Sequence, residues 1–128
     1  MEQKNNPLSP HLQIYKWQIS SLLSITHRIV GVINIIAITI ICFWSLSLLL
    51  GAEDYLIINN FFQSFFGKFA AVGLCWTFSF HILNELRHLF WDLGFGFDLK
   101  ISKITGVLAL FGSFVVTVLF YLIGKNIF

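Results

Sequence analysis

Charge is what this chain most lacks. Only 11% of its 128 residues are charged, against about 25% in a soluble domain. Hydrophobic residues reach 57% and the mean hydropathy is +0.82. So much apolar surface cannot be hidden in one soluble core of this size, so lipid is the expected solvent. Cysteine is nearly absent too: Cys42 and Cys75 both fall inside apolar runs without ligand-type spacing. They read as small hydrophobes, not as a disulfide or thiolate site. There is no glycine-rich phosphate loop, no cysteine pair with metal spacing and no nucleophile–base–acid set, so no catalytic residue is assigned. A cleavable leader is not expected either, because Met1 to Lys16 is largely polar and lacks a short apolar core with a small-residue cleavage site.

What is present is length without charge. Residues 29–50 and 104–124 carry no formal charge, and residues 61–83 carry only Lys68 near their start. At about 1.5 Å per residue, the first of these covers roughly 33 Å, enough for a hydrocarbon core of about 30 Å. The sequence therefore predicts an all-α membrane protein with three transmembrane helices in one domain, residues 1–128. Three helices are few to shield buried polar groups, so a partner subunit is expected. Orientation follows from the basic residues. Lys4, Lys16, Arg28, Arg87, Lys100 and Lys103 flank one side, and only Lys68 and Lys125 the other. This places the N-terminus and the second loop inside. The formal charge of +2 reflects that asymmetry and does not indicate a nucleic-acid partner.

Local signals refine the picture. Pro7 and Pro10 impose an extended start, and Tyr15, Trp17 and Gln18 suit the membrane interface. Ser20 or Ser21 is expected to cap the first helix, Gly51 to Asn60 to form a short loop, and Gly94 and Gly96 to end the second span.

Two polar constellations interrupt the apolar pattern. His81, Asn84, Glu85, His88 and Asp92 stand at offsets 0, 3, 4, 7 and 11, one stripe of a helix. A polar stripe at membrane depth faces protein, water or a cofactor rather than lipid. Read by spacing alone, His81 is either an axial haem ligand or a core histidine bonded to a neighbouring helix. His88 is the shallower rival. Ser24, His27, Arg28 and Gly31, at offsets 0, 3, 4 and 7, form a second stripe at the inner end of the first span. A hydroxyl and a guanidinium there can bind a carbonyl oxygen, or can equally be a helix-start serine and a snorkelling arginine. A channel would need a polar path across the bilayer, and only Asn34, Thr39 and Ser45 continue along the first span.

The segments Pro7-Leu8-Ser9-Pro10-His11-Leu12, Ser24-Ile25-Thr26-His27-Arg28 and His81-Ile82-Leu83-Asn84-Glu85-Leu86-Arg87-His88-Leu89-Phe90-Trp91-Asp92 occur in that order against the three spans. Together they closely resemble the cytochrome b membrane-anchor subunits of succinate dehydrogenase, over essentially the whole chain. The resemblance implies a haem b with His81 as an axial ligand to its iron, the other ligand coming from a second small anchor subunit that completes the helical bundle. It implies a ubiquinone pocket lined by Ser24 and Arg28. It places His27 and His88 near the haem propionates or the quinone, and Arg87 near the propionates. An iron–sulfur subunit and a flavoprotein subunit would sit on the inner side, in a bacterial plasma membrane or a mitochondrial inner membrane. The flavoprotein would oxidise succinate, and the electrons would pass to quinone.

Three positions depart from the resemblance. Asn6 stands where arginine is usual, Val30 where serine or threonine is usual, and Glu85 where glycine or alanine is usual. Glycine would allow close approach of a helix or macrocycle, which glutamate does not. Glu85 is expected to pair with Arg87 or Arg28, or to point to the interface. A haem-free structural anchor of the same kind of complex is the alternative function.

Overall fold

The computed structural model describes residues 16–127; the Pro7 to Leu12 segment, Lys4 and Tyr15 lie outside the described residues. Four helices follow one another: α1 (Ile19–Leu50), α2 (Ala52–Gln63), α3 (Phe65–Asp92) and α4 (Leu99–Ile127). No strand occurs among the described residues. Three of the helices, α1, α3 and α4, are long and apolar enough to cross a membrane.

Helix boundaries differ from the hydropathy boundaries for definable reasons. α1 starts at Ile19 with Gln18 as its N-cap and no side-chain cap, so neither Ser20 nor Ser21 fills that role. The expected first loop is helical instead. Gly51, at φ 150°, lets the chain turn directly from α1 into α2. Ser64 then separates α2 from α3: its Oγ accepts a hydrogen bond from the Gly67 N–H at 3.1 Å and donates to the Phe61 carbonyl at 2.6 Å. At the other end α3 runs on to Asp92, because polar side chains do not stop a helix whose backbone bonds remain intact. It ends where Gly94 (φ 88°) allows a Schellman closure, with Gly94 N–H bonded to the Trp91 carbonyl and Phe95 N–H to the Phe90 carbonyl.

The corner between α2 and α3 is tight. A Cβ on Gly67 would overlap the backbone of Phe61 and Phe62, which cannot rotate away. Gly67→Ala is therefore expected to cost about 1–3 kcal/mol, the usual cost of overpacking. A lowered thermal midpoint in the purified protein checks it, and an unchanged midpoint refutes it.

α3 is the central helix, packed against α1, α2 and α4. The core between them is small: Leu23, Val30 and Phe80, joined by Trp76 and Leu110. Trp76 stacks on Phe80 and on Phe114 of α4, with centroids 5.6 and 5.4 Å away. On α4 the buried positions Gly106, Ala109, Ser113 and Thr117 make a stripe of small residues that lets helices approach closely. A Cβ on Gly106 would overlap Leu23 of α1 and reach the Arg87 guanidinium of α3. The hydroxyls of Ser113 and Thr117 bond back to carbonyls of their own helix, so they cost nothing at the interface. Only 17–22% of the apolar windows of α1, α3 and α4 is buried within the chain. The remainder needs lipid or other helices around it.

Candidate haem and quinone site

The two polar stripes meet. His27 on α1 and His81 on α3 stack with ring centroids 4.4 Å apart and planes 8° from parallel. Gly31, one turn on from His27, makes room for this: a Cβ there would lie 3.5 Å from His81 Cε1. His88 tilts against the other side of His27, at 5.4 Å. Its Nδ1 lies 2.7 Å from the Asn84 carbonyl, and its ring meets Trp91 edge-on at 5.1 Å. His88 is thus tied to its own helix, whereas His81 is not.

Glu85 reaches the histidine pair. Its Oε1 lies 3.2 Å from His27 Nε2 and 3.8 Å from His81 Nε2. The shorter approach is off the hydrogen-bonding axis, and His27 Nε2 is buried without a hydrogen bond among the described residues. His81 Nδ1 is likewise buried without a partner. The expected pairing of Glu85 with Arg87 or Arg28 does not form. Arg87 is two residues on, and positions i and i+2 do not face each other on a helix.

Arg87 turns to α4 instead. Its Nε donates to Thr105 Oγ1 at 3.1 Å, and Nη2 donates to the Ser102 carbonyl at 2.7 Å and to Ser102 Oγ at 2.9 Å. The guanidinium also sits 4.2 Å over the Trp91 ring, an added attraction. These contacts leave Arg87 only 8% exposed. A polar cavity of about 290 Å³ opens between α1 and α3, lined by Ser24, His27, Asn84, Arg87, His88 and Trp91 among others. Arg28 stays outside it, exposed. The structure therefore gathers Ser24, His27, Arg87 and His88 at one cavity and sets His81 on the far side of His27. His81 in turn borders a shallow open depression of about 330 Å³ with Ile82, Glu85, Leu86 and Leu89.

Trp91, Ser102 and Thr105 had no place in the sequence reading of the site. Trp91 could have been found from its i, i+4 spacing to Arg87. Ser102 and Thr105 carry no such signal, since they meet Arg87 across the loop between helices.

Residues 2–120 match the succinate dehydrogenase/fumarate reductase transmembrane subunit family. The succinate dehydrogenase cytochrome b556 subunit of Rickettsia conorii is 42% identical over 118 residues, covering 90% of both chains. The chain belongs to that family. The cytochrome b556 subunit of Paracoccus denitrificans is 31% identical, over 90% of this chain and 88% of its own. The cytochrome b560 subunit of Marchantia polymorpha is 37% identical, over 84% and 82% respectively. Membership in a transmembrane-subunit family agrees with the three spanning-length helices. The protein is an integral membrane protein of a bacterial or mitochondrial inner membrane.

Proposed function

We propose that this anchor subunit binds a haem b through His81 and forms part of a ubiquinone site through Ser24 and Arg28. It does so within a succinate:quinone oxidoreductase whose flavoprotein subunit carries out succinate oxidation. The observation that carries the reading is His81 itself. Its imidazole is set by stacking on His27 and borders an open depression, and neither ring nitrogen makes a hydrogen bond among the described residues. A histidine that is only a satisfied core residue would have such a bond; a ligand keeps a nitrogen free. The residues fit a haem held between this chain and a second anchor subunit, because the depression opens to the outside of the chain. The relatives are named cytochrome b subunits, which supports the same reading.

When bound, the haem supplies a one-electron carrier beside the quinone. The chain's own residues do the rest. Gly31 admits His81 against α1, and His27 keeps its ring plane fixed. Ser24 and Arg28 occupy one face of α1, both exposed, and Arg28 has no ion pair among the described residues. Among the described residues neither is committed elsewhere, so both can donate to a quinone carbonyl. His27, Arg87 and His88 border the polar cavity behind Ser24, where a haem propionate or the quinone head group can be held. The six-to-two basic asymmetry supports an inner location for this end, facing the iron–sulfur and flavoprotein subunits.

Glu85 is the one observation that favours the second reading, a haem-free anchor, since its carboxylate crowds the histidine pair. One purification separates the two. The tagged chain is expected to bring down a flavin-bearing subunit, an iron–sulfur subunit and a second small membrane subunit, with a visible b-type spectrum. The same partners with no haem absorption would establish the structural anchor.

A further inference from the structure

Glu85 is the feature that the proposed function leaves without a role. Carboxylates are costly at membrane depth and stand there for a reason. Among the described residues of α1, α3 and α4, the only other acid is Asp92, the last residue of α3. Glu85 is not neutralised by an arginine. Arg87 is committed to Ser102 and Thr105, and the ion pairs Glu85 forms among the described residues are with His27 and His81 alone. Nor do these three groups suit a bare metal ion. The two imidazoles are nearly parallel, 8° apart and face to face at 4.4 Å. Nitrogens that converge on one ion need rings inclined toward it.

We infer that Glu85 is a fixed negative charge that tunes the redox poise of the haem held by His81. This rests on the His81 reading above. An oxidised haem carries one more positive charge than a reduced one. A carboxylate 3.8 Å from the nitrogen of its axial ligand therefore favours the oxidised form and lowers the midpoint potential. Glu85 is exposed on the depression that Ile82, Leu86 and Leu89 also line, so a haem seated there would cover the carboxylate, exclude water from it and reduce the screening of its charge. Its approach to His27 at 3.2 Å places the carboxylate on the α1 side of the histidine pair. Glycine or alanine at this position supplies no such charge, so this chain would run its haem at a lower potential than the same site without Glu85.

The test is an optical redox titration of the haem in the intact purified complex. Glu85→Gln keeps the shape and removes the charge. It is expected to raise the midpoint, with the reduced-to-oxidised ratio at a fixed poise rising about tenfold, equivalent to about 59 mV. The low-spin spectrum should be unchanged. Glu85→Asp, with its charge drawn back by one methylene, should give a smaller upward shift. Glu53→Gln on α2, outside the site, should leave the midpoint where it was. An unchanged or lowered midpoint in Glu85→Gln overturns the inference while leaving His81 as ligand. If Glu85→Gln fails to assemble, an Asp variant at or below the wild-type midpoint overturns it equally. A wild-type complex without haem overturns both this inference and the ligand assignment.

Discussion

Replacing His81 with alanine is expected to remove the low-spin bis-histidine haem spectrum from the assembled complex. The imidazole is the only part of α3 that both borders the open depression and has nitrogens not committed to the helix. His88, the rival ligand on the same helix, has its Nδ1 2.7 Å from the Asn84 carbonyl and its ring against Trp91. To serve as the ligand it would have to give up both contacts. On the proposed assignment, alanine at 81 would remove one of the residues that hold the haem, converting the spectrum to high-spin or releasing the haem altogether. His88→Ala is expected to keep the low-spin spectrum. Retention of that spectrum in assembled His81→Ala would defeat the assignment, and its loss only in His88→Ala would transfer the role to His88.

The second large effect concerns electron delivery to quinone. Ser24→Ala and Arg28→Leu should each depress quinone reduction by roughly 10²–10³, the size seen when one donor is removed from a site that stabilises developing negative charge. Reduction of a quinone puts that charge on its carbonyl oxygen before protonation. A hydroxyl and a guanidinium one helical turn apart can both address it. Succinate oxidation with an artificial acceptor that draws electrons from the soluble subunits should be spared. Equal loss of both activities would mean failed assembly. Full quinone reductase activity in an assembled variant would place the quinone elsewhere.

Much of this was legible in the sequence. Charge-free runs announced three membrane helices, because nothing but lipid or protein can receive such a surface. The 3.6-residue spacing put His81 with Glu85 on one face, and Ser24 with His27 on another. α2 was not legible, since Ala52–Gln63 mixes Glu53, Asp54, Asn59 and Asn60 with apolar residues. Its helix is held by the turn at Gly51 and the cap at Ser64 rather than by an apolar stripe. The stacking of His27 on His81 was not legible either. It depends on the absence of a side chain at Gly31, and on an α1–α3 register that no local pattern encodes. For Glu85 the sequence suggested an arginine partner, and helix geometry ruled Arg87 out.

The bond set around Arg87 also bears on how the protein is made. Ser102 and Thr105, which take up its guanidinium, belong to a helix that is synthesised after α3. While the ribosome has delivered only α3, Arg87 lacks those oxygens, and its guanidinium, near the inner interface, stays with water or lipid headgroups. Ser102 and Thr105 follow Arg87 by 15 and 18 residues, so the missing oxygens arrive with the first turns of α4. Arg87 takes up its final contacts only once the start of α4 exists, which ties the inner end of α3 to the arrival of the next helix.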